Sequence, residues 1–201
     1  TARDWKNNKF KLIVGSIMNH FLRIVDYNAS KNVDQFIANS EEVAGRIKKF
    51  YRRDSTVIYP PVNTALSDSA YSVKLKDKKL NAPQLDARRY YLSGGRLTRA
   101  KGTDIILDTF IKNKQSFSSN GKTLKIFGKG FAGFDPTSLK LRGARGNIEY
   151  LGEISDDEKL DLMKNAKAYI FSSFDEDFGI TPVEAMSVGT PVIAYKSGGV
   201  K

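Results

Sequence analysis

Residues 148–195 read IEYLGEISDDEKLDLMKNAKAYIFSSFDEDFGITPVEAMSVGTPVIAY, and the fold class follows from this stretch. Residues 148–151, 168–171 and 191–195 are short apolar runs of strand length. Between the first two, Ser155-Asp156-Asp157-Glu158 has the spacing of a capping box and opens a predicted helix that runs to about Ala166. Between the second and third, a shorter helix is predicted over 182–188. Strands that alternate with helices in this way imply a parallel sheet covered on both faces.

The same alternation extends towards the N-terminus. Residues 123–127 form a predicted strand that exits through Gly128-Lys129-Gly130, and a helix is predicted over 103–112. Arg89-Tyr90-Tyr91-Leu92-Ser93 is a strand followed by a glycine-containing loop. Residues 89–201 therefore read as α/β, a doubly wound parallel sheet. Residues 63–88 have no sustained apolar period and many polar side chains, which marks a linker. Before them, residues 10–29 have helical spacing, Val33 to Ala38 reads as a strand, and Ser40 is placed to cap a helix over 41–52. A strand over 56–59 is stopped by Pro60-Pro61. The expected division is residues 1–62, a linker over 63–88, and a ligand-binding unit over 89–201.

Composition removes several kinds of chemistry. The 201 residues hold no cysteine, so disulfides, thiolate metal sites and Cys nucleophiles are excluded. A single histidine, His20, excludes a multi-His metal site and leaves a Ser-His-Asp triad without support; it reads as structural or exposed. No apolar run approaches about 20 residues and no secretory leader pattern is visible, so a soluble protein of a reducing, cytoplasmic compartment is expected. The net charge is +11, with the surplus concentrated in 61–150, while 151–201 is net acidic. Such a basic middle suits a phosphorylated ligand, an anionic membrane face or nucleic acid. Nucleic-acid binding predicts lysines interleaved with aromatics and no acidic loop at a ligand-binding strand end. The acidic loop described next argues against it.

In doubly wound sheets ligands sit beyond the carboxyl ends of the strands. Three loops there carry the unusual residues. Gly94-Gly95-Arg96-Leu97-Thr98-Arg99-Ala100-Lys101-Gly102 offers backbone approach and two cations, Arg96 and Lys101, beside a helix start. That suits a diphosphate, although a basic surface turn has the same composition. Gly128-Lys129-Gly130 is either a tight strand exit or a second ligand loop. The densest segment is Phe174-Asp175-Glu176-Asp177-Phe178-Gly179-Ile180-Thr181-Pro182-Val183-Glu184. Pro182 suits the first helical position and Thr181 its cap, so the amides of Gly179 to Thr181 point out of a helix start. Glu184 has the spacing of a capping-box partner for Thr181, and Asp175 to Asp177 have the composition of a solvated turn. Alternatively, Glu176 and Glu184, before and inside the helix start, reach the hydroxyls of one sugar nucleotide.

These residues resemble the donor motif of retaining glycosyltransferases of family four: Glu176 and Glu184 within Glu-Asp-Phe-Gly-Ile-Thr-Pro-Val-Glu-Ala-Met, then Gly189-Thr190-Pro191-Val192-Ile193-Ala194. Gly95-Arg96-Leu97 with Lys101-Gly102 resembles that family's diphosphate loop, and Asn147 to Gly152 its nucleotide-base segment. Phe36-Ile37-Ala38-Asn39-Ser40 and Val57-Ile58-Tyr59-Pro60-Pro61-Val62 resemble its segments before the interdomain linker. The wording is most similar to bacterial mannosyltransferases that use GDP-mannose for surface polysaccharides.

The resemblance implies two Rossmann-like domains facing a cleft, with 89–201 as the nucleotide-sugar domain and 1–62 as the tail of the acceptor domain. It implies transfer of a hexose, mannose in the first instance, from a nucleoside diphosphate sugar to a glycan or lipid-linked acceptor, with retention and without a metal or other cofactor. Arg96 and Lys101 would neutralise the leaving diphosphate, and Glu176 would hold the transferred sugar; these three form the expected catalytic set. Glu184 would bind the ribose. The amides of Phe178, Gly179, Ile180 and Thr181 would hold sugar and phosphate, and Gly95, Gly128 and Gly130 would let the chain pass close to the donor. The alternative on the same fold is a sugar-nucleotide epimerase or a non-catalytic binding relative. The family's N-terminal glycine loop and histidine have no counterpart here, so the chain reads as a fragment that is inactive alone, with contact to the inner face of a membrane as a further expectation.

Overall fold

The computed structural model describes residues 9–62, 90–119, 123–131, 133–135 and 147–201. The linker expected over 63–88 lies outside the described residues. The chain divides into two compact units, Thr1–Pro60 and Pro61–Lys201.

The first unit holds helix α1 (Lys9–Ser30), strand β1 (Phe36–Ala38), helix α2 (Glu41–Tyr51) and strand β2 (Ser55–Val57), with β1 and β2 parallel. Both strands are shorter than the apolar runs suggested. Ser40 caps α2 as expected, its hydroxyl accepting from the Val43 amide at 3.2 Å. The turn from α1 into β1 is held by Arg53, whose guanidinium donates to the carbonyl oxygens of Ser30 at 3.0 Å and Asp34 at 2.9 Å and lies over the Phe36 ring. His20 is exposed on α1 against the edge of Phe21.

The second unit is the doubly wound sheet. Strand β3 (Tyr90–Gly94) leads through a short 3-10 turn (Arg99–Lys101) into α3 (Thr103–Lys112) and α4 (Lys114–Ser119). Then come β4 (Thr123–Phe127), β5 (Ile148–Gly152), α5 (Asp156–Asn165), β6 (Ala168–Phe171), α6 (Ile180–Ser187) and β7 (Val192–Ala194), with a final 3-10 turn over Gly198–Val200. The strand order is β5-β4-β3-β6-β7 and every pairing is parallel.

Alternation along the strands builds a core on each face of the sheet. Leu124 and Ile126 of β4 face Leu97, Ile106, Leu107 and Phe110, so α3 covers one side. Leu92, Phe127 and Tyr169 face Leu160, Met163, Ala185 and Val188, so α5 and α6 cover the other. The capping box of α5 is formed: Ser155 Oγ accepts from the Glu158 amide at 3.2 Å, and the Ser155 amide donates back to Glu158 at 2.9 Å. From β3 the chain winds outward to β4 and β5, then returns to β6 and β7 on the opposite side of β3. The direction reverses between β3 and β6, the place where ligands of doubly wound sheets sit, beyond the carboxyl ends of the strands.

One helix start is corrected. α6 begins at Ile180, with Gly179 as its cap in the left-handed region (φ 87°). Thr181 is therefore not the cap, and Pro182 stands at the third helical position. A proline is tolerated there because the first-turn amides have no intrahelical partner anyway.

Candidate functional site

The two loops that flank the reversal carry the residues singled out from the sequence. The loop after β3 holds Gly95, Arg96 and Lys101; the loop after β6 holds Glu176 and leads into Phe178, Gly179, Ile180 and Thr181 at the start of α6. They meet: the Lys101 ammonium is bonded to Glu176 Oε2, with the two side chains 32% and 19% exposed. Ser173 Oγ donates to the same oxygen at 2.7 Å, and Ser172 Oγ donates to the Lys101 carbonyl at 2.9 Å. Burial on its own raises the Glu176 pKa. The bonds from Lys101 and Ser173, with the positive charges of Lys101 and Arg96, outweigh it and hold the carboxyl below its ordinary range. Arg96, Lys101 and Glu176 thus form one electrostatic group, an anion locus beside an acceptor of hydroxyl protons.

The start of α6 supplies amide donors. With Gly179 as cap, the N–H groups of Ile180 and Thr181 belong to the first turn, where no carbonyl precedes them within the helix. The acidic loop is backed by the C-terminal turn. The Gly199 amide donates to the Glu176 carbonyl at 2.7 Å, and Ser197 Oγ donates to Asp175 Oδ1 at 2.8 Å. Asp175 takes a left-handed conformation (φ 53°), which aspartate tolerates better than most side chains.

Gly128 has a specific role in this geometry. At φ 115° it passes so close to Gly95 that an added Cβ would sit 1.9 Å from the Gly95 carbonyl oxygen. The close approach it permits is to the Gly95 loop, which it holds in place. Gly130 pairs with Leu97 in an isolated parallel bridge, so the loops after β3 and β4 run side by side.

Glu184 is not a capping-box partner. It lies on α6, largely buried, and Lys159 Nζ of α5 donates to its Oε1 at 2.9 Å and to Asp156 Oδ1 at the same distance. Desolvation lowers the Lys159 pKa, but the bonds and charges of Glu184 and Asp156 raise it overall, so the ammonium stays charged. Lys159, Ser172, Ser173 and Ser197 were not singled out from the sequence. Lysine in the first turn of a helix, among Asp156, Asp157 and Glu158, runs against the helix dipole and is the one signal that could have drawn attention.

The fold and site together define a Rossmann-like α/β protein with Arg96, Lys101 and Glu176 gathered at its sheet reversal. The chain belongs to the glycosyl transferases of group 1, whose family model matches residues 76–201. It is 30% identical over 192 residues to the alpha-1,3/1,6-mannosyltransferase ALG2 of Dictyostelium discoideum, which covers 83% of this chain and 46% of that protein. It is 27% identical over 177 residues to the D-inositol 3-phosphate glycosyltransferase of Streptomyces scabiei, covering 83% and 38%. Among solved structures, a sucrose-phosphate synthase of Thermosynechococcus elongatus superposes with a TM-score of 0.67 at 19% identity, covering 89% of this chain and 45% of that one. The chain spans less than half the length of these curated relatives. All three are similar in name to transferases or synthases; none supports the epimerase alternative. No described helix is long and apolar enough to cross a membrane.

Proposed function

We propose that this chain is the nucleotide-sugar-binding part of a retaining hexosyltransferase, with GDP-mannose as donor and a glycan or lipid-linked acceptor. The observation that carries the reading is the meeting of Lys101 and Glu176 beside Arg96 at the sheet reversal. A diphosphate sugar presents two chemistries a few ångströms apart, anionic phosphates and a ring of hydroxyls. A cation pair next to a carboxylate suits both. Arg96 and Lys101 neutralise the diphosphate as the bond from the sugar's anomeric carbon to its oxygen breaks and the electron pair stays with the phosphate; the acceptor's hydroxyl oxygen bonds to that carbon on the same face, and its proton passes to the departing phosphate. Glu176 accepts from the hydroxyls of the transferred sugar and so fixes its orientation. Glu184 accepts from the ribose hydroxyls, and the α6 amides hold sugar and phosphate oxygens. In this scheme the side-chain cations do the work that a divalent metal does elsewhere, and no metal is needed. The relatives' mannosyltransferase names favour mannose. The basic surplus of the chain suits peripheral contact with an anionic membrane face.

The testing experiment is calorimetric titration of GDP-mannose, UDP-glucose and ADP-glucose into the chain in the presence of a chelator. GDP-mannose should bind most tightly, and Arg96→Ala and Lys101→Ala should each weaken it by about 1–3 kcal/mol, as expected for a lost charge-assisted contact. Parent-like binding by both variants refutes the diphosphate site. The chain alone should transfer no sugar to any acceptor, because the acceptor side of such a transferase is supplied by the other domain.

A further inference from the structure

We propose that Lys159 is a positioning residue for the nucleotide's ribose, fixing the Glu184 carboxylate so that one oxygen is held by the protein and the other is presented to the vicinal hydroxyls. The inference rests on the reading of Glu184 as a ribose ligand and adds a residue to it.

The geometry supplies the argument. Lys159 Nζ lies 2.9 Å from Glu184 Oε1, and the two side chains are 16% and 12% exposed. Asp156, the second partner of the ammonium, is 83% exposed. The lysine is therefore turned inward, from the solvated first turn of α5 towards α6. Two features make this placement costly if it serves only to join two helices. A cation in the first turn opposes the helix dipole, and that turn already holds Asp156, Asp157 and Glu158, which the dipole favours. Burying both partners costs solvation that apolar packing across the same contact would not require. What the pair achieves is orientation. A glutamate on a bare helix face samples several rotamers, whereas one whose Oε1 is bonded to a near-buried ammonium keeps its second oxygen in one direction. Lys159 also couples elements: α5 follows β5, whose residues pair with β4 up to its exit, so the ammonium links that edge of the sheet to α6.

A purely structural ion pair and a ribose-positioning pair differ in one measurable respect. Both lower stability when broken, but only the second affects the discrimination between ribose and a sugar without its hydroxyls. The experiment titrates GDP and 2′,3′-dideoxy-GDP into the 201-residue chain, its Lys159→Met, Lys159→Arg and Glu184→Gln variants, with melting temperature followed in the absence of nucleotide. The parent should prefer GDP by about tenfold or more, the scale of a charge-assisted contact to a hydroxyl pair. Lys159→Met should reduce GDP affinity by about the same factor while leaving dideoxy-GDP affinity near the parent's, and Lys159→Arg should recover most of the preference. If Lys159→Met does not fold, Lys159→Gln, which keeps a donor on a shorter stem, should show the same loss of preference. A variant that loses affinity for both nucleotides equally, or for neither, overturns the proposal. If the parent shows no preference, or Glu184→Gln keeps it, the ribose assignment of Glu184 fails and the role of Lys159 falls with it. A preference lost in Glu184→Gln but kept in Lys159→Met removes the positioning role alone.

Discussion

The Tyr169 hydroxyl donates to the carbonyl oxygen of Gly94 at 2.9 Å, joining strand β6 to the last residue of its neighbour β3, the central strand. The ring is fully buried and the Thr181 side chain also bonds the phenol, so one hydroxyl ties the exit of β3 to the first turn of α6. Burial pushes the phenol's pKa well up, and the nearby charge of Glu184 adds to this; the bonds from Gly94 and Thr181 do not offset it.

Tyr169→Phe should destabilise the chain by about 1–3 kcal/mol, because it withdraws the phenol from two partly buried partners, the Gly94 carbonyl and the Thr181 side chain. The loss should also change with pH. The folded state keeps the phenol neutral above its ordinary value of 10.0, so above that pH the unfolded chain binds fewer protons and stability falls. The parent therefore loses stability as pH rises through this range, and Tyr169→Phe should lose less. Denaturant melts on either side of pH 10 measure both effects.

Two glycines in the loops after β3 and β4 should respond differently to the same methyl group. Both Gly95 (φ 113°) and Gly128 (φ 115°) lie in a region that L side chains rarely adopt, so alanine at either costs about 1–3 kcal/mol of strain. At Gly95 the added carbon meets nothing within 4 Å, while at Gly128 it meets the Gly95 carbonyl at 1.9 Å. Gly128→Ala should therefore cost more than Gly95→Ala by about 1–3 kcal/mol of overpacking and should displace the loop after β3. Equal melting temperatures for the two variants would contradict the contact.

Glu176 gives a prediction at acid pH. Its folded pKa is lowered from 4.5, so it contributes stability that is complete above that value and is lost as pH falls through the folded value. Desolvation works against this shift, and the Lys101 ammonium is the largest cause in its favour. In Lys101→Met the carboxyl should titrate higher, and the acid limb of the stability profile should become shallower. Melting temperatures across the acid range, parent against variant, read this directly; superimposable profiles would mean that the pair has no energetic coupling.

The doubly wound sheet was legible because its strands are short apolar runs punctuated by glycine and by formed caps, most clearly at Ser155 and Glu158. The candidate site was legible in part. Glu176, Arg96 and Lys101 stand out as charges at strand ends, but that Lys101 meets Glu176, seventy-five residues away, follows only from the β3–β6 pairing. Glu184 showed a local spacing to Thr181, and that spacing competed with a partner on another helix, which won. The helix α4 was missed because Lys-Gln-Ser-Phe-Ser-Ser has neither cap nor period. Phe117, stacked on Phe110 at a centroid distance of 4.3 Å, ties it to α3 instead. The start of α6 was placed two residues late because proline favours the first helical position, whereas Gly179 supplied a left-handed cap earlier.

The C-terminal turn should govern donor binding without touching the donor's charge. Glu176 has its side chain fixed by Lys101 and Ser173, but its backbone is fixed by the Gly199 amide at 2.7 Å. A Cβ at Gly199 would lie 2.1 Å from the Asp177 carbonyl oxygen and 3.0 Å from the Phe178 Cα, both backbone atoms that no rotamer change can clear. Gly199→Ala must therefore move either the turn or the acidic loop. The loop is the part expected to move, because Phe174, Asp175 and Asp177 are exposed. Ser197→Ala removes the two Ser197–Asp175 bonds and leaves the Gly199 contact in place. The expected order of GDP-mannose affinity is parent, then Ser197→Ala, then Gly199→Ala. Gly199→Ala should lose about tenfold or more, because a displacement of about 1 Å carries Glu176 out of hydrogen-bond reach of the sugar. GDP itself, which has no hexose for Glu176 to hold, should bind all three with a much smaller spread. Calorimetry with both ligands makes the comparison. A uniform loss for GDP and GDP-mannose would mean that the turn supports the whole site and not the sugar-binding carboxylate.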